Sequence, residues 1–455
     1  MRPRSLQGAA ALVFGRWSRL TLPIREIGFT VNTPARSTPT MRRSLRALDL
    51  VNLFQADVGA GLGPFLAIYL MASRGWKPEM IGLALAAQGY ASVAAQTPAG
   101  ALVDWIRLKR TAIGLAAILI GVSAVVIVRV NGLGPIIGVE IVIGAISVVI
   151  PPAIAAISLG MVGRPGFSRR AGRNEAFNHA GNLMAAVTCG AAGYFFDRSW
   201  IFYLAALISG ATAMAALAIN ENDIDHALAR EALPEDHGEP AGATPLLSLM
   251  HDYRIVVFAA CAILFHFANA AMLPLLGMRL STGQAHASTL YMSACIVTAQ
   301  LVMVVVAPIA GRLAPRWGRK PVLMIGFAAL PIRGILYTLT NDPHLLISIQ
   351  ILDGLGAGIW GVVWVIIAAD LARGTGRFNL IQGLIATGVA IGASSSNLAT
   401  GFIAQRFGFN AGFLTLAAIA AGGLATLSLA MPETMDGGER LPSSAQLESL
   451  RGTSS

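Results

Sequence analysis

The sequence is short of charge. Aspartate, glutamate, lysine and arginine make up only 12 % of its 455 residues, about half the ~25 % of an ordinary soluble domain. With long apolar runs in place of that charge, neither a disordered chain nor a water-soluble enzyme fits. Lysine is nearly missing, since Lys77, Lys109 and Lys320 are the three in the chain. Cysteine is as rare, and Cys189, Cys261 and Cys295 stand singly in apolar stretches with no CxxC spacing. They read as small buried hydrophobes, which excludes a disulfide scaffold or a thiolate metal site. The sequence holds no H-E-x-x-H, no G-x-x-x-x-G-K-[ST] phosphate loop and no Cys/His cluster. No cofactor or metal is therefore expected, the chain is not read as an enzyme, and ATP-driven pumping by this chain alone is excluded.

What the chain has instead is oil. Hydrophobic residues reach 55 % and the mean hydropathy is +0.65. A helix needs ~20 apolar residues to cross ~30 Å of hydrocarbon. Stretches of that kind occur at 47–73, 79–103, 111–130, 134–161, 175–196 and 199–219, then at 254–280, 287–311, 321–340, 344–370, 378–404 and 409–431. The expected architecture is an all-α membrane protein with twelve transmembrane helices, six on each side of a linker. The expected units are a first bundle at 41–219, a linker at 220–253, a second bundle at 254–431 and a disordered cytoplasmic tail at 432–455. Seven acids between Glu221 and Glu239 mark the linker as solvated. Residues 1–40 are Arg-rich, with no acid before Glu26. They read as an extension upstream of a start at Met41, untranslated or disordered.

The net charge of +10 comes from arginines clustered between apolar runs, as in loops facing the cytoplasm and anionic lipid, so no nucleic-acid partner is expected. Counting loops in alternation gives thirteen basic residues on the linker side against six on the other. The positive-inside bias then puts both termini in the cytoplasm, in a bacterial plasma membrane. An internal repeat supports two halves. Leu53-Phe54-Gln55 is echoed by Leu264-Phe265-His266, and Gly100-Ala101-Leu102 by Gly311-Arg312-Leu313, both 211 positions later.

The loops after the second and eighth stretches carry a resemblance to a known family. The first reads Gly100-Ala101-Leu102-Val103-Asp104-Trp105-Ile106-Arg107-Leu108-Lys109-Arg110, and the second Gly311-Arg312-Leu313-Ala314-Pro315-Arg316-Trp317-Gly318-Arg319-Lys320. Together they resemble the G-x-L-x-D-R-x-G-R-[RK] loop of the major facilitator superfamily, over nearly all of 47–431. The first copy lacks the second glycine, and Pro315 replaces the acid in the second. The resemblance implies two pseudo-symmetric six-helix bundles around a central cavity, and secondary transport by alternating access. It also implies that Asp104 latches the outward-open state, with Gly100 and Gly311 letting helix ends approach. Two departures matter: Glu140 fills the arginine position of the R-x-x-x-G pattern found in many exporters of this family, and helix five lacks the Gly-Pro ending of many antiporters.

Charge inside a bilayer is expensive, so intramembrane polar residues are functional candidates. Asp57, in the first helix with Gln55 two residues before it, ranks first for proton coupling, because helix one lines the cavity in the resembling family. Glu140 stands alone in an apolar run and would exchange a proton near neutral pH. Asp353 stands at the matching place of the second half, with Arg333 as a possible partner. Candidates for the cavity wall are Gln55, Asn178, Asn182, His266, Asn269, Trp360 and Trp364. Candidates for latch and gate are Gly100, Asp104, Arg173, Glu175, His179, Gly311, Arg319 and Arg377. Asn174, Asn178 and Asn182 share one helical face, and Glu175 with His179 the next. The expected activity is proton-coupled export of a small organic molecule by a monomer. Proton-coupled uptake, or a non-transporting membrane sensor or assembly partner, are the alternatives.

Overall fold

The protein is described by a computed structural model over residues 39–56, 62–229, 251–283, 285–373 and 378–435. Among the described residues the long elements are all helices. They are α1 (Pro39–Ala56), α2 (Leu62–Ala72), α3 (Pro78–Trp105), α4 (Lys109–Arg129), α5 (Leu133–Ser147), α6 (Ile150–Phe195), α7 (Ser199–Leu217) and the short α8 (His226–Ala229). The second half follows with α9 (Tyr253–Ala270), α10 (Met272–Gly283), α11 (Ser288–Trp317), α12 (Arg319–Leu339), α13 (Pro343–Ala372), α14 (Phe378–Phe407) and α15 (Phe409–Ala430). Eight helical stretches among the described residues are long and apolar enough to cross a membrane. The remaining stretches expected from hydropathy coincide with α1 and α2, with α3, with the second part of α6 and with α14. Asp57, Arg377, residues 1–38, most of the linker and the tail beyond 435 lie outside the described residues.

Proline and glycine set the breaks. Pro151 and Pro152 lack an N–H, and α5 ends at Ser147 just before them. Gly163 (φ 69°) bends α6, at a backbone angle that side-chain-bearing residues avoid. The fifth helix then runs from 164, although the arginines at 164–173 read as a loop in the sequence. Asp49 accounts for the difference: it pairs with Arg170 (2.8 Å) and Arg173 (2.7 Å) across the first bundle and neutralises the extra turns. Gly318 (φ 107°) is at once the C-cap of α11 and the N-cap of α12. The first half has Arg107 at the aligned place and needs the longer link Ile106–Leu108.

The two halves repeat one packing scheme. In the first, α4 lies on α7 and α3 on α5; in the second, α12 lies on α15 and α11 on α13. The halves meet along α3 with α14, α6 with α11, and α2 with α10. These seams are tight only at the end away from the linker. A Cβ on Gly401 would sit 2.7 Å from the Pro78 carbonyl oxygen and 3.0 Å from the Gly82 Cα, and one on Gly190 would overlap Ser293. Tyr90 and Ser395 hydroxyls meet at 2.8 Å. Toward the linker the same helices separate, and Gly100, Gly172 and Gly383 have open space where a Cβ would go. The apolar core agrees, running from the first half into Met272, Leu275 and Met292 at the far end. A second core around Phe265, Phe327 and Trp360 stays within the second half.

Candidate functional site

Where the seams part, a cavity of about 180 Å³ lies between the halves. Phe65 and Asn182 line it from the first half, and Leu273, Ile296, Gln300 and Asp353 from the second. Its wall is mostly apolar with three polar side chains converging on it, the usual make-up of a small-molecule site.

Asp353 is held from behind. Arg333, only 1 % exposed, donates to the Asp353 carboxylate, to Asn269 Oδ1 at 2.7 Å and to Met272 Sδ at 3.0 Å. A buried guanidinium demands such partners, because an unpaired ion in a low-dielectric interior costs several kcal/mol. The carboxylate therefore faces the cavity on one side and a fixed positive charge on the other. Across the cavity, His179 Nδ1 lies 3.1 Å from Gln300 Oε1, a contact from α6 to α11 that spans the two halves.

Other sequence-derived candidates lie elsewhere. Glu140 is 2 % exposed within the first bundle, on α5, with no hydrogen-bond or ion-pair partner among the described residues. Asn174 is buried between Asn52 (3.2 Å), Ser158 (2.9 Å) and Arg170 (2.8 Å), so this end of the Asn face ties α6 to its own half. Asn182, two turns on, reaches the cavity. Asn178 and Gln55 are half-buried, and neither lies on the cavity wall. Trp360 stacks on Phe265 at 4.7 Å and Trp364 packs beside it, both in the second-half core, with His266 against the Trp360 ring at 5.0 Å. Glu175 is exposed.

The gating arginines also bind within their own halves, Arg173 to Asp49 and Arg319 to Asp370 at 3.0 Å. A Cβ on Gly100 would meet nothing within 4 Å, and one on Gly311 would meet Val362 of its own half at 3.5 Å. The Asp104 side chain lies outside the described residues. Gln300, Asp49 and Arg170 were not singled out by the sequence. Gln300 carries the signal that would have found it, a lone amide in the apolar run Cys295–Ala307. Asp49 sits so near the start of the apolar stretch 47–73 that hydropathy treats it as interfacial, although α1 begins ten residues earlier.

The family model described as Major Facilitator Superfamily matches residues 49–299 and 258–451. Two Mycobacterium tuberculosis proteins, from strains CDC 1551 and H37Rv, are described as MFS-type transporters and are 44 % identical over 404 residues, covering 88 % of this chain and 96 % of theirs. Among solved structures, the nucleoside transporter NupG superposes with a TM-score of 0.71 at 14 % identity, over 85 % of this chain and 98 % of that one. A bacterial homologue of the human lysosomal transporter Spinster, inward-facing and unoccupied, gives 0.66 at 12 % identity, over 86 % of this chain and 96 % of its own. At these identities the structures speak for the fold alone. Two repeated bundles about a shared cavity, the family match over both halves and the mycobacterial relatives agree: the chain belongs to the major facilitator superfamily and is an integral membrane secondary transporter.

Proposed function

We propose that this transporter exports a small organic molecule in exchange for protons, and that Asp353 is the group through which the proton acts. The linker end is read as cytoplasmic, so the conformation described above, tight at the far end and parted at the linker end, is inward-facing. The observation that carries the reading is the position of Asp353 between the cavity and Arg333. With the carboxylate ionised, the pair is neutral and both groups are held. When Asp353 takes a proton, Arg333 keeps only Asn269 and Met272, and its charge is free to turn toward the cavity. A change of that size in a dry interior is worth several kcal/mol, enough to bias two packings of the halves. His179 and Gln300 bridge the halves beside the cavity and must separate as it opens.

The test uses full-length protein in proteoliposomes with a substrate identified by a thermal-shift screen, since a ligand of the folded cavity raises apparent stability. An imposed pH gradient should drive counterflow of that substrate, and Asp353→Asn should abolish the drive while leaving substrate exchange at zero gradient. Gradient-driven flux that persists in Asp353→Asn would remove Asp353 from the mechanism. Movement of substrate in the same direction as protons would make the protein an uptake symporter.

A further inference from the structure

A second concavity, of about 690 Å³, within the ~300–1,000 Å³ range of ligand sites, opens on the outside of the first bundle, away from the transport cavity. It lies between the linker end of α3, the start of α4 and the end of α5. Ala112, Ala116 and Ala145 form its floor, and Leu102, Leu115 and Leu119 are among its walls. Two features hold it open. The helical hydrogen bonds are interrupted after Ser147, ahead of Pro151 and Pro152, and the tight turn there sets Val149 on the groove's wall. Small residues then leave the space unfilled. The second half closes the corresponding place, because α13 runs unbroken past it and Leu323 and Phe327 stand where the first half has Ala112 and Ala116. The groove is thus not a by-product of the repeat.

Its surroundings specify an occupant. The adjoining face of α4 is exposed and apolar (Leu115 61 %, Leu119 47 %) and belongs to a membrane-crossing helix, so what fills the groove comes from the bilayer. Trp105 at its mouth is 81 % exposed, as suits an aromatic ring at headgroup level. Arg107 and Thr111 are the polar side chains on the wall, both at that mouth. The neighbouring cations are already engaged. Lys109 donates to the Val103 and Ile106 carbonyls at 2.8 Å, and Arg110 pairs with Glu221 at 2.7 Å. Arg107 is exposed beside them. We propose that this groove holds one acyl chain of an anionic phospholipid, whose phosphate pairs with Arg107.

The experiment places the purified full-length protein in phosphatidylcholine vesicles doped with phosphatidylglycerol that carries a diazirine on its acyl chain, and maps labelled peptides after irradiation. Labelling should concentrate on residues 102–119 and spare the matching segment 313–330. The same probe with a phosphatidylcholine headgroup should label 102–119 about fivefold less, the worth of one basic residue at an anionic surface. Arg107→Gln should erase that headgroup difference, and Ala112→Trp should suppress labelling by both probes. If Ala112→Trp fails a thermal-unfolding check, Ala145→Trp fills the same groove from α5. Equal labelling of the two segments, labelling by wild type that ignores the headgroup, or a phosphatidylglycerol preference that survives Arg107→Gln would each overturn the proposal.

Discussion

The two halves fasten their third helix in the same way. Arg110, at the start of α4, donates to the Leu217 carbonyl (3.2 Å) at the end of α7 and pairs with Glu221 just beyond. Lys320, at the start of α12, donates to the Ser428 carbonyl (2.7 Å), 211 positions after Leu217, and Glu433 lies just beyond. Glu433 accepts from the backbone N–H groups of Arg319 (2.9 Å) and Lys320 (3.1 Å), a cap on the exposed amides of a helix start. At the offset of 211 Lys320 stands opposite Lys109 and not Arg110, so the fastening is kept by a neighbouring residue, and an ion pair gives way to a cap. The intramembrane acids behave in the opposite way. Glu140 is buried alone in the first half, whereas Asp353 of the second is paired and faces the cavity. What the halves share holds each bundle together, whereas the cavity acid Asp353 has an apolar residue, Val142, at the matching position of the first half.

The strongest way to break that contrast is to strip the second half of its buried cation. Arg333→Ala leaves the Asp353 carboxylate without its counter-charge, and removal of one member of a buried pair costs about 3–5 kcal/mol. Thermal unfolding in detergent should fall steeply. The double variant Arg333→Leu/Asp353→Leu should recover most of the loss, because a buried pair replaced by apolar volume is often neutral, yet it should remain without proton-driven flux. A double variant as unstable as the single one would mean that the pair serves the fold only.

Next in size is the seam at the far end. Gly401→Leu puts a side chain where a Cβ already meets the Pro78 carbonyl and the Gly82 backbone. Overpacking of this kind costs about 1–3 kcal/mol, and the cost falls only on the conformation with the far end closed. The population should shift roughly tenfold or more toward the state open at that end. A cysteine placed at Ser395, across from Tyr90, should then react faster with an impermeant maleimide. Unchanged reactivity would show that α3 and α14 do not part during the cycle. Smaller still is the fastening itself. Glu433→Ala removes a helix cap worth about 1 kcal/mol, while Glu221→Ala removes a half-exposed ion pair worth about 0.5 kcal/mol. The order of the two unfolding temperatures checks whether the cap outweighs the pair.

Much of this was legible before any coordinates. Hydropathy located every apolar stretch on a helix, since a bilayer rewards apolar length regardless of partners. It missed the charged first turns of the first helix, which starts at Pro39 and not at 47, and of the fifth, which runs from 164 and not from 175. The repeat of Gly100-Ala101-Leu102 at Gly311 announced the two halves. Asp353 and Asn182 were legible as polar groups out of place. The rest depended on helix rotation. Trp360 and Asn182 both sit in apolar runs, yet one turns into the second-half core and the other onto the cavity wall, and nothing in a linear pattern fixes that angle. Arg170 was hidden for another reason: an arginine near a helix end reads as a loop charge until Asp49, more than a hundred residues away, is seen beside it.

The contrast between the two acids makes its finest prediction at Glu140. This carboxyl is 2 % exposed, has no partner among the described residues and is absent from the cavity wall. A buried ion in that setting would be costly, so the neutral acid is the form the packing tolerates. Glutamine has nearly the same shape and no charge. Glu140→Gln should therefore move the unfolding temperature less than Glu221→Ala, and gradient-driven flux should survive it, in contrast to Asp353→Asn. Were flux lost while the fold stood, the proton would have to pass through the first bundle as well, and Glu140 would be a second carrier beside Asp353.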